Sequence, residues 1–230
     1  MPKTIPAALF ALSLLAMPGL AAAQSKDKNL GLAQPSRTYA PVNFNVNEDA
    51  ESILLLDLSN GQRVTVRLMP DWAPNHVERI KTLTRQGFYD GVVFHRVIED
   101  FMAQTGDPTG TGRGSSQLPD IAAEFNDMPH VRGTVSMARA GDVDSANSQF
   151  FIVFYPRFAL DRKYTNFGRV IAGMDAVDAV ERGEPPSNPT RIVQASIAAD
   201  GRSPGIAPAP TGDPVADEIT ADMLSNSASD

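Results

Sequence analysis

Residues 94–115 read FHRVIEDFMAQTGDPTGTGRGS, and this stretch decides which fold and function the sequence predicts. It combines three large apolar side chains, Phe94, Phe101 and Met102, with two hydrogen-bonding ones, Arg96 and Gln104, and it ends in a glycine-rich run. A shallow apolar pocket with a few fixed donors is the usual composition of a site for a small ligand. The stretch therefore indicates a binding pocket. It has the composition of neither a metal site nor a charged acid–base pair.

Two further blocks downstream complete a family pattern. Residues 94–107 follow FHR-(V/I)-I-x-x-F-M-x-Q-x-G-D, residues 133–151 follow G-x-(V/L)-S-M-A-x-A-G…S-Q-F-F, and residues 160–174 follow L-D…F-G-x-V-x-x-G-M. One block alone would be only suggestive, whereas three in this order are a specific signature. On these blocks the chain resembles the cyclophilin family of peptidyl-prolyl cis/trans isomerases.

The hydrophobic pattern predicts a mainly β domain over residues 51–200. The runs ILLLDL (53–58) and RVTVRL (63–68) have the length and composition of strands. The dipeptide Asn60-Gly61 between them is a typical hairpin turn, which predicts that the two strands are antiparallel neighbours.

Two helices and further strands are predicted downstream. One helix begins at Pro74 and a second, short one at Met174, because apolar residues follow each at helical spacing. Residues 92–94 are predicted to form a strand. Many short strands with two helices suggest a closed barrel, since closure removes exposed sheet edges. The resemblance implies the same fold: a closed eight-stranded antiparallel β-barrel capped by two α-helices.

The resemblance also implies an enzyme that rotates X-Pro amide bonds, with Arg96 as the catalytic residue and no metal or cofactor. In the twisted amide the proline nitrogen regains a lone pair, and a fixed cationic donor stabilises that state over both planar forms. Gln104 would hydrogen-bond the substrate backbone or hold Arg96 in place. The implied substrate-binding residues are Phe101, Met102, Gln104, Ala138, Arg139, Ala140, Phe151, Leu160 and Tyr164.

Each of these residues also has an ordinary structural explanation. Arg96 could form a surface salt bridge with Glu99 or Asp100, Gln104 could face solvent, and the apolar members could belong to the barrel core. His95 lies inside the first block, but strand alternation points it away from Arg96, which favours a structural role over that of a general base.

Other catalytic chemistries have little support in the sequence. There is no cysteine, and the three histidines lack the spacing of a metal site, so no metal is predicted. A Ser-His-Asp triad stays open, although the chain has no G-x-S-x-G elbow. The glycines of residues 106–114 are not followed by the Lys-Ser or Lys-Thr of a phosphate loop, so a role in turns is the better interpretation.

Both ends of the chain differ from the predicted domain. Residues 1–23 contain Lys3, an apolar stretch and a final Ala-Ala-Ala, which is the pattern of a secretory signal peptide. This predicts export, to the periplasm, with no membrane anchor after cleavage. Residues 24–50 are predicted to be a flexible leader, and residues 201–230 a disordered acidic tail rich in Pro and Ala.

The predicted partners are unfolded or extended proline-containing polypeptides. The formal net charge of −7 argues against non-specific binding to nucleic acid. Many family members carry a Trp where this chain has Ala159, so cyclosporin is expected to bind weakly. The alternative function is a non-catalytic chaperone or scaffold that binds proline segments, and a hydrolase is a further one. Retention of Arg96 favours the isomerase, because binding alone would not need it.

Overall fold

Residues 38–205 are the part of the chain that this computed structural model describes. The predicted signal peptide, the first part of the predicted leader and residues 206–230 of the predicted tail lie outside the described residues. Within the described range, no helix has the length and apolar character needed to cross a membrane.

Eight strands and two α-helices make up the described domain. In chain order they are β1 (Ile53–Leu58), β2 (Arg63–Leu68), α1 (Pro74–Arg85), β3 (Arg96–Ile98), β4 (Met102–Thr105), β5 (Thr134–Met137), β6 (Phe150–Val153), β7 (Asn166–Ala172), α2 (Met174–Asp178) and β8 (Ile192–Ile197). The first hairpin forms as predicted, and Arg63 donates to both carboxylate oxygens of Asp57 across it, at 2.6 and 3.0 Å.

All ladders of the sheet are antiparallel, and the strand order is β3-β4-β6-β5-β7-β2-β1-β8. The first strand therefore pairs with the second and also with the last. This arrangement confirms the prediction of a mainly β, antiparallel fold with two helices.

The predicted closure is not found as a ladder within residues 38–205, where β3 and β8 are the two ends of the sheet. One isolated bridge joins Val93 to Arg191, just before these strands, and the Phe94 amide donates to the Thr190 carbonyl at 2.8 Å. The strand predicted at residues 92–94 is therefore wrong. The bridge at Val93 is isolated and belongs to no ladder, and the strand begins at Arg96 instead.

Helix α1 begins at Pro74 as predicted, but its cap comes from far along the chain. Ala73 precedes the helix and supplies no side-chain cap. The Glu124 carboxylate instead accepts from the backbone amides of Asn75 and His76, at 3.1 and 3.0 Å. A carboxylate at this end is favourable because the first amides of a helix are unpaired and carry partial positive charge.

Strand alternation distributes the side chains of the sheet between two apolar clusters. Ala103 of β4 and the Phe150 and Ile152 side chains of β6 are buried in the main core. Their neighbours Met102 and Phe151 face the other way and lie in a second, smaller cluster. The sheet thus has an apolar outer patch as well as an apolar interior.

Both ends of the described segment are bonded to the sheet. The buried Arg67 side chain donates to the carbonyl oxygens of Asn43, Asn45 and Asp49, at 3.0, 2.6 and 3.1 Å. At the other end the Gly205 amide donates to the Asp57 carboxylate at 2.7 Å. The last residues of the predicted leader and the first of the predicted tail therefore contact the domain.

Candidate active site

Strand register brings the predicted site residues onto one face of the sheet. Arg96 of β3 is paired with Gln104 of β4, and Gln104 is paired in turn with Phe151 of β6. Paired residues on neighbouring strands project to the same side of a sheet, and so does Met102, two residues before Gln104. The geometry of three short strands therefore groups a cation, an amide and two apolar side chains.

A pocket of about 160 Å³ lies on this face, and we call it the proline pocket after the ligand that the family resemblance predicts. It is smaller than the roughly 300–1,000 Å³ of sites for drug-sized ligands, and it suits a single small ring. Of the predicted site residues, only Ala140 lies outside it. Its lining consists of Arg96, Phe101, Met102, Gln104, Ala138, Arg139, Phe151, Leu160 and Tyr164.

Arg96 forms a salt bridge, but with neither of the partners considered from the sequence. Its Nε donates to Glu184 Oε2 at 2.7 Å, whereas Glu99 binds Arg182 at 2.7 Å. Within residues 38–205, no hydrogen bond is made by the two terminal nitrogens of Arg96. These two donors are available to a ligand in the pocket.

Gln104 is bound to Gln149 and not to Arg96. Its Nε2 donates to the Gln149 Oε1 at 2.9 Å, and the Gln149 Nε2 donates to the carbonyls of Gly112 and Gly114 at 3.2 and 2.8 Å. Of the two roles expected for Gln104, holding Arg96 by a hydrogen bond is not seen within residues 38–205, and binding of the substrate backbone stays a prediction. Gln104 links the proline pocket to the glycine-rich loop.

The segment of residues 138–140 offers a backbone edge beside the pocket. The Ala138 amide donates to the Gln149 carbonyl at 3.0 Å, and the Ala140 amide donates to Ser145 Oγ at 3.0 Å. Neither the amide nor the carbonyl of Arg139 has a hydrogen-bond partner in the part of the chain that the structure describes. An extended peptide can pair with such an edge, which gives affinity independent of its sequence.

The Arg139 side chain forms part of the pocket wall. Its guanidinium donates to the Lys163 carbonyl at 3.2 Å and to the Ala140 carbonyl at 2.9 Å. It also lies 4.9 Å from the centre of the Tyr164 ring, and that ring meets Phe151 edge to face at 5.8 Å. Arg139 therefore braces the wall that the two aromatic rings form.

His130 supports this wall from below. The ring is buried and is stacked on Phe151, with centroids 6.3 Å apart. Its Nδ1 lies 2.9 Å from Asp161 Oδ1, and its Nε2 lies 3.0 Å from Ser136 Oγ. Burial lowers the pKa of His130, and Asp161 opposes this only in part, so the ring is neutral at pH 7.

The hydrogen bonds link Ser136, His130 and Asp161 in the order of a Ser-His-Asp triad, but these residues cannot act as one. Ser136 is fully buried, and its hydroxyl also donates to the Thr165 carbonyl at 2.9 Å. A nucleophile must reach its substrate, and this one lies beneath the apolar floor of the pocket. The network is a structural support and does not supply the nucleophile that the hydrolase alternative would need.

A second depression of about 460 Å³ adjoins the proline pocket, and we call it the loop groove. Loops form most of its walls. Its lining residues are Gln104, Gly112, Arg113, Gly114, Ser115, Asp120, Ala138, Arg139, Ala140, Ser145, Asn147, Ser148 and Gln149.

Asp107 organises the glycine-rich side of the loop groove. It is fully buried, and its Oδ1 accepts from the amide and the hydroxyl of Thr109, at 2.7 and 2.8 Å. Burial disfavours its charge, but these bonds and those from the amides of Gly114 and Gly112 lower its pKa to about 2. Gly110 and Gly112 have positive φ, which confirms the interpretation of these glycines as turn residues.

The other two histidines do not face the proline pocket. Burial lowers the pKa values of His76 and His95, so both rings are neutral at pH 7. His76 Nδ1 lies 2.6 Å from the Glu124 carboxylate at the start of α1. Within residues 38–205 there is no group of three His, Cys, Asp or Glu residues that could hold a metal ion.

Sequence reasoning missed three groups that shape the site. Gln149 stands within the second family block and could have been found there. Asp161 stands in the third block beside Leu160, but its link to His130 spans 31 residues. Glu184 follows Gly183 in a turn that carries no sequence signal for a site, and it meets Arg96 across 88 residues.

The chain is similar to known proteins in family pattern, in sequence and in structure. Residues 54–197 match the family model "Cyclophilin type peptidyl-prolyl cis-trans isomerase/CLD". A protein of Brucella suis named "Probable peptidyl-prolyl cis-trans isomerase" is 46% identical over 168 residues, which cover 66% of this chain and 85% of that protein. "Peptidyl-prolyl cis-trans isomerase-like 1" of Aspergillus fumigatus is 37% identical over 159 residues, covering 64% and 96%.

Solved structures show the same likeness. The cyclophilin AquaCyp293 from Hirschia baltica is 31% identical, with a TM-score of 0.62, covering 66% of this chain and 76% of that one. A cyclophilin-type isomerase of Cryptosporidium parvum, crystallised in the presence of the dipeptide Ala-Pro, is 26% identical with a TM-score of 0.59. That match covers 63% of this chain and 98% of the other.

Proposed function

Because the chain belongs to the family of cyclophilin-type peptidyl-prolyl cis-trans isomerases, we propose that it rotates X-Pro bonds of extended polypeptides with Arg96 as its catalytic residue. The support for this role is the position of the Arg96 guanidinium at the edge of a small pocket lined mainly by apolar and aromatic side chains, with both terminal nitrogens free among the described residues. The remaining predicted site residues bind the substrate around it.

The proposed chemistry makes and breaks no covalent bond. The barrier to rotation, about 18–20 kcal/mol, arises from amide resonance. As the bond twists, the proline nitrogen loses its conjugation and becomes an acceptor. A donor that binds this nitrogen more strongly in the twisted state lowers the barrier, and each roughly 1.4 kcal/mol of such preference gives a tenfold rate increase.

The pocket supplies the other requirement, which is a fixed proline ring. Met102 and Phe151 are buried in the outer apolar cluster, and Phe101, Leu160 and Tyr164 pack against them. When the ring is held there and the peptide pairs with the backbone of Arg139, rotation is confined to the X-Pro bond beside Arg96. Any extended chain with a proline satisfies these contacts, so the substrate class is unfolded or extended polypeptide.

The proposal is tested with a protease-coupled assay of proline-peptide isomerisation at low temperature. The wild-type chain should catalyse the reaction, and Arg96→Ala should lower kcat/KM by about a hundredfold, the usual effect of losing a donor to the transition state. Arg96→Lys should recover little, because an ammonium lacks the planar fork. Arg162→Ala is the matched control, since it removes an exposed arginine whose side chain binds only Asp127 among residues 38–205.

The alternative function, non-catalytic binding of proline segments, predicts a different pattern. Proline peptides would bind to the wild-type chain in a fluorescence titration, yet no variant would differ in isomerisation rate. An inactive wild-type chain that binds such peptides would establish the alternative.

Export to the periplasm, where the enzyme would assist the folding of exported proteins, is part of the proposal. Its support is the pattern of residues 1–23, which ends in three alanines. Mature protein purified from the exporting cell should begin at Gln24. N-terminal sequencing that finds Met1 in the exported product would contradict cleavage.

Weak binding of cyclosporin is also proposed. Ala159 is exposed at the rim, and its neighbour Phe158 is exposed by 63% and does not line the proline pocket. No large side chain therefore stands at position 159 to form an apolar wall for a bulky ligand. Titration of isomerase activity with cyclosporin should show weak inhibition, and Ala159→Trp should strengthen it.

A further inference from the structure

A single carboxylate binds the proposed catalytic arginine. Arg96 Nε donates to Glu184 Oε2 at 2.7 Å, and among residues 38–205 this is the only hydrogen bond or ion pair of the Arg96 side chain. A guanidinium carries its donors in a rigid planar fork. When a carboxylate binds Nε alone, it orients the plane of the guanidinium. The edge formed by the two terminal nitrogens then stays open to a ligand.

The backbone places Glu184 opposite Arg96. Val97 and Gly183 exchange two hydrogen bonds, at 2.8 and 2.9 Å, in an isolated antiparallel bridge. Residues that flank such a bridge face each other, so Arg96 and Glu184 are cross-strand neighbours. On its other side Arg96 is paired with Gln104. The arginine thus lies between an acid and an amide.

The turn that carries Glu184 has little freedom. Gly183 has a φ of +146°, and a Cβ there would lie 2.6 Å from Pro186 Cα and 2.8 Å from the Pro185 carbonyl oxygen. The preceding Arg182 binds Glu99 and lies 4.4 Å from the centre of the Phe154 ring. The Glu184 backbone is therefore held at a fixed position relative to β3.

We propose that Glu184 is a positioning residue, whose carboxylate orients the Arg96 guanidinium so that its terminal nitrogens face the X-Pro amide. The proposal rests on the proposed isomerase function of the site. The two side chains are exposed by 41% and 51%, and such ion pairs add little to fold stability. The contribution of Glu184 lies in orientation, to which rates are sensitive.

Three variants test this role. Glu184→Gln removes the charge with almost no change of shape, and Glu184→Asp keeps the charge but withdraws it by one methylene. Glu181→Gln is the matched control, because Glu181 is exposed, lies three residues earlier and has a side chain without a hydrogen bond or ion pair to any described residue.

The expected result is a selective fall in kcat. Glu184→Gln should lower kcat by about threefold with KM unchanged, since an exposed charge pair is worth well under a tenfold effect. The kcat of Glu184→Asp should lie between that of Glu184→Gln and that of the wild type, and the kcat of Glu181→Gln should match the wild-type value. A rise in KM with constant kcat, or an equal effect of both glutamine variants, would overturn the proposal.

A spectroscopic readout separates this inference from the proposed function. In a ¹⁵N NMR spectrum the Arg96 Nε–H signal, assigned by its loss in Arg96→Lys, should shift in Glu184→Gln and stay in place in Glu181→Gln. If the wild-type chain does not isomerise proline peptides, the proposed function fails and this signal alone decides whether Glu184 orients Arg96. If the chain is active but neither kcat nor the signal changes in Glu184→Gln, only the positioning role fails.

Discussion

The proline pocket and the loop groove lie side by side, but different parts of the chain hold them in shape. The pocket is built on β3, β4 and β6, where strand register sets the direction of each side chain. The groove is built on loops, which are held by side chains that bind backbone groups, such as Gln149 on Gly112 and Gly114. The alternation of side chains along strands defines the proline pocket, and individual hydrogen bonds define the loop groove.

This difference predicts how each region responds to change. A strand-built pocket should tolerate conservative changes in its walls but depend strongly on what packs behind them. A loop-built groove should depend on a few polar residues, whose loss frees a whole loop. His130 behind the pocket and Asp107 behind the groove are the two residues on which this contrast can be tested.

The largest effect is expected for His130→Ala. This substitution removes the ring that is stacked on Phe151 and leaves Ser136 and Asp161 without their shared partner. The cavity and the lost bonds should lower the free energy of unfolding by about 3 kcal/mol, measured by urea denaturation. KM for short proline peptides should also rise, because the pocket floor relaxes. A loss below about 1 kcal/mol would show that the pocket does not depend on this support.

A smaller effect is expected for Asp107→Asn. Its carboxylate binds Thr109 twice and accepts from glycine amides, and a neutral amide replaces these charge-assisted bonds with weaker ones. The free energy of unfolding should fall by about 1–2 kcal/mol. Turnover of a dipeptide-sized proline substrate should stay near the wild-type value, since the groove and not the pocket is loosened. Asp71→Asn, at an exposed position, controls for the change of charge.

The two regions should also lose stability in different pH ranges. His130 has a lowered pKa in the folded state, so the unfolded chain takes up its proton first as the pH falls below about 6.5, and stability declines from there. The pKa of Asp107 is lowered to about 2 from 3.8, so its contribution is lost only as the pH falls from about 4 towards 2. Each proton contributes a slope of at most about 1.4 kcal/mol per pH unit.

Unfolding free energies measured from pH 7 to pH 3 would show the two ranges. His130→Gln should reduce the dependence of the unfolding free energy on pH between pH 6.5 and 5. Asp107→Asn should leave that range unchanged and reduce the dependence below pH 4. Between pH 6.5 and 5 the slope that remains in His130→Gln belongs to His76 and His95, whose pKa values are also lowered by burial. Below pH 5 Glu51 adds to the slope, because hydrogen bonds from Arg85 and Lys81 lower its pKa to about 2. An identical pH profile in both variants would remove the distinction.

The smallest effect is expected for Arg139→Ala, at the boundary between the two regions. The side chain braces the wall through the Lys163 carbonyl and the Tyr164 ring, and the backbone edge beside the pocket stays in place. A loss of about twofold in kcat/KM, mainly through KM, is expected from an exposed cation–π contact. A tenfold loss would show that the guanidinium contacts the substrate directly.

The pocket could be predicted from the sequence because strand alternation needs only local information. The predicted strand over residues 101–104 puts Met102 and Gln104 on one face, whereas Phe101, Phe151, Leu160 and Tyr164 are identified only by the family pattern. The sequence-based prediction was wrong at the edge of the sheet. Residues 92–94 have the composition of a strand, but whether they join a ladder depends on the distant segment before β8.

The polar contacts of the site could not be predicted, since each joins residues far apart in the chain. The sequence offered Glu99 and Asp100 as partners of Arg96, and both are nearer in sequence than Glu184. The β3 backbone is bridged to Gly183 instead, and this brings an acid from 88 residues away to the arginine. Ion pairs are decided by which segments meet, and composition does not contain that information.

The pairing of β1 with β8 has a consequence for synthesis. A ribosome makes β1 first and β8 last, and their paired residues, such as Leu54 and Ile197, span almost the whole domain. Until the final strand has been made, one edge of β1 lacks its partner and can pair with another nascent chain. Long-range pairing of this kind also slows folding. A ribosome that stalls before codon 192 would therefore carry a chain whose first strand has an open β-edge.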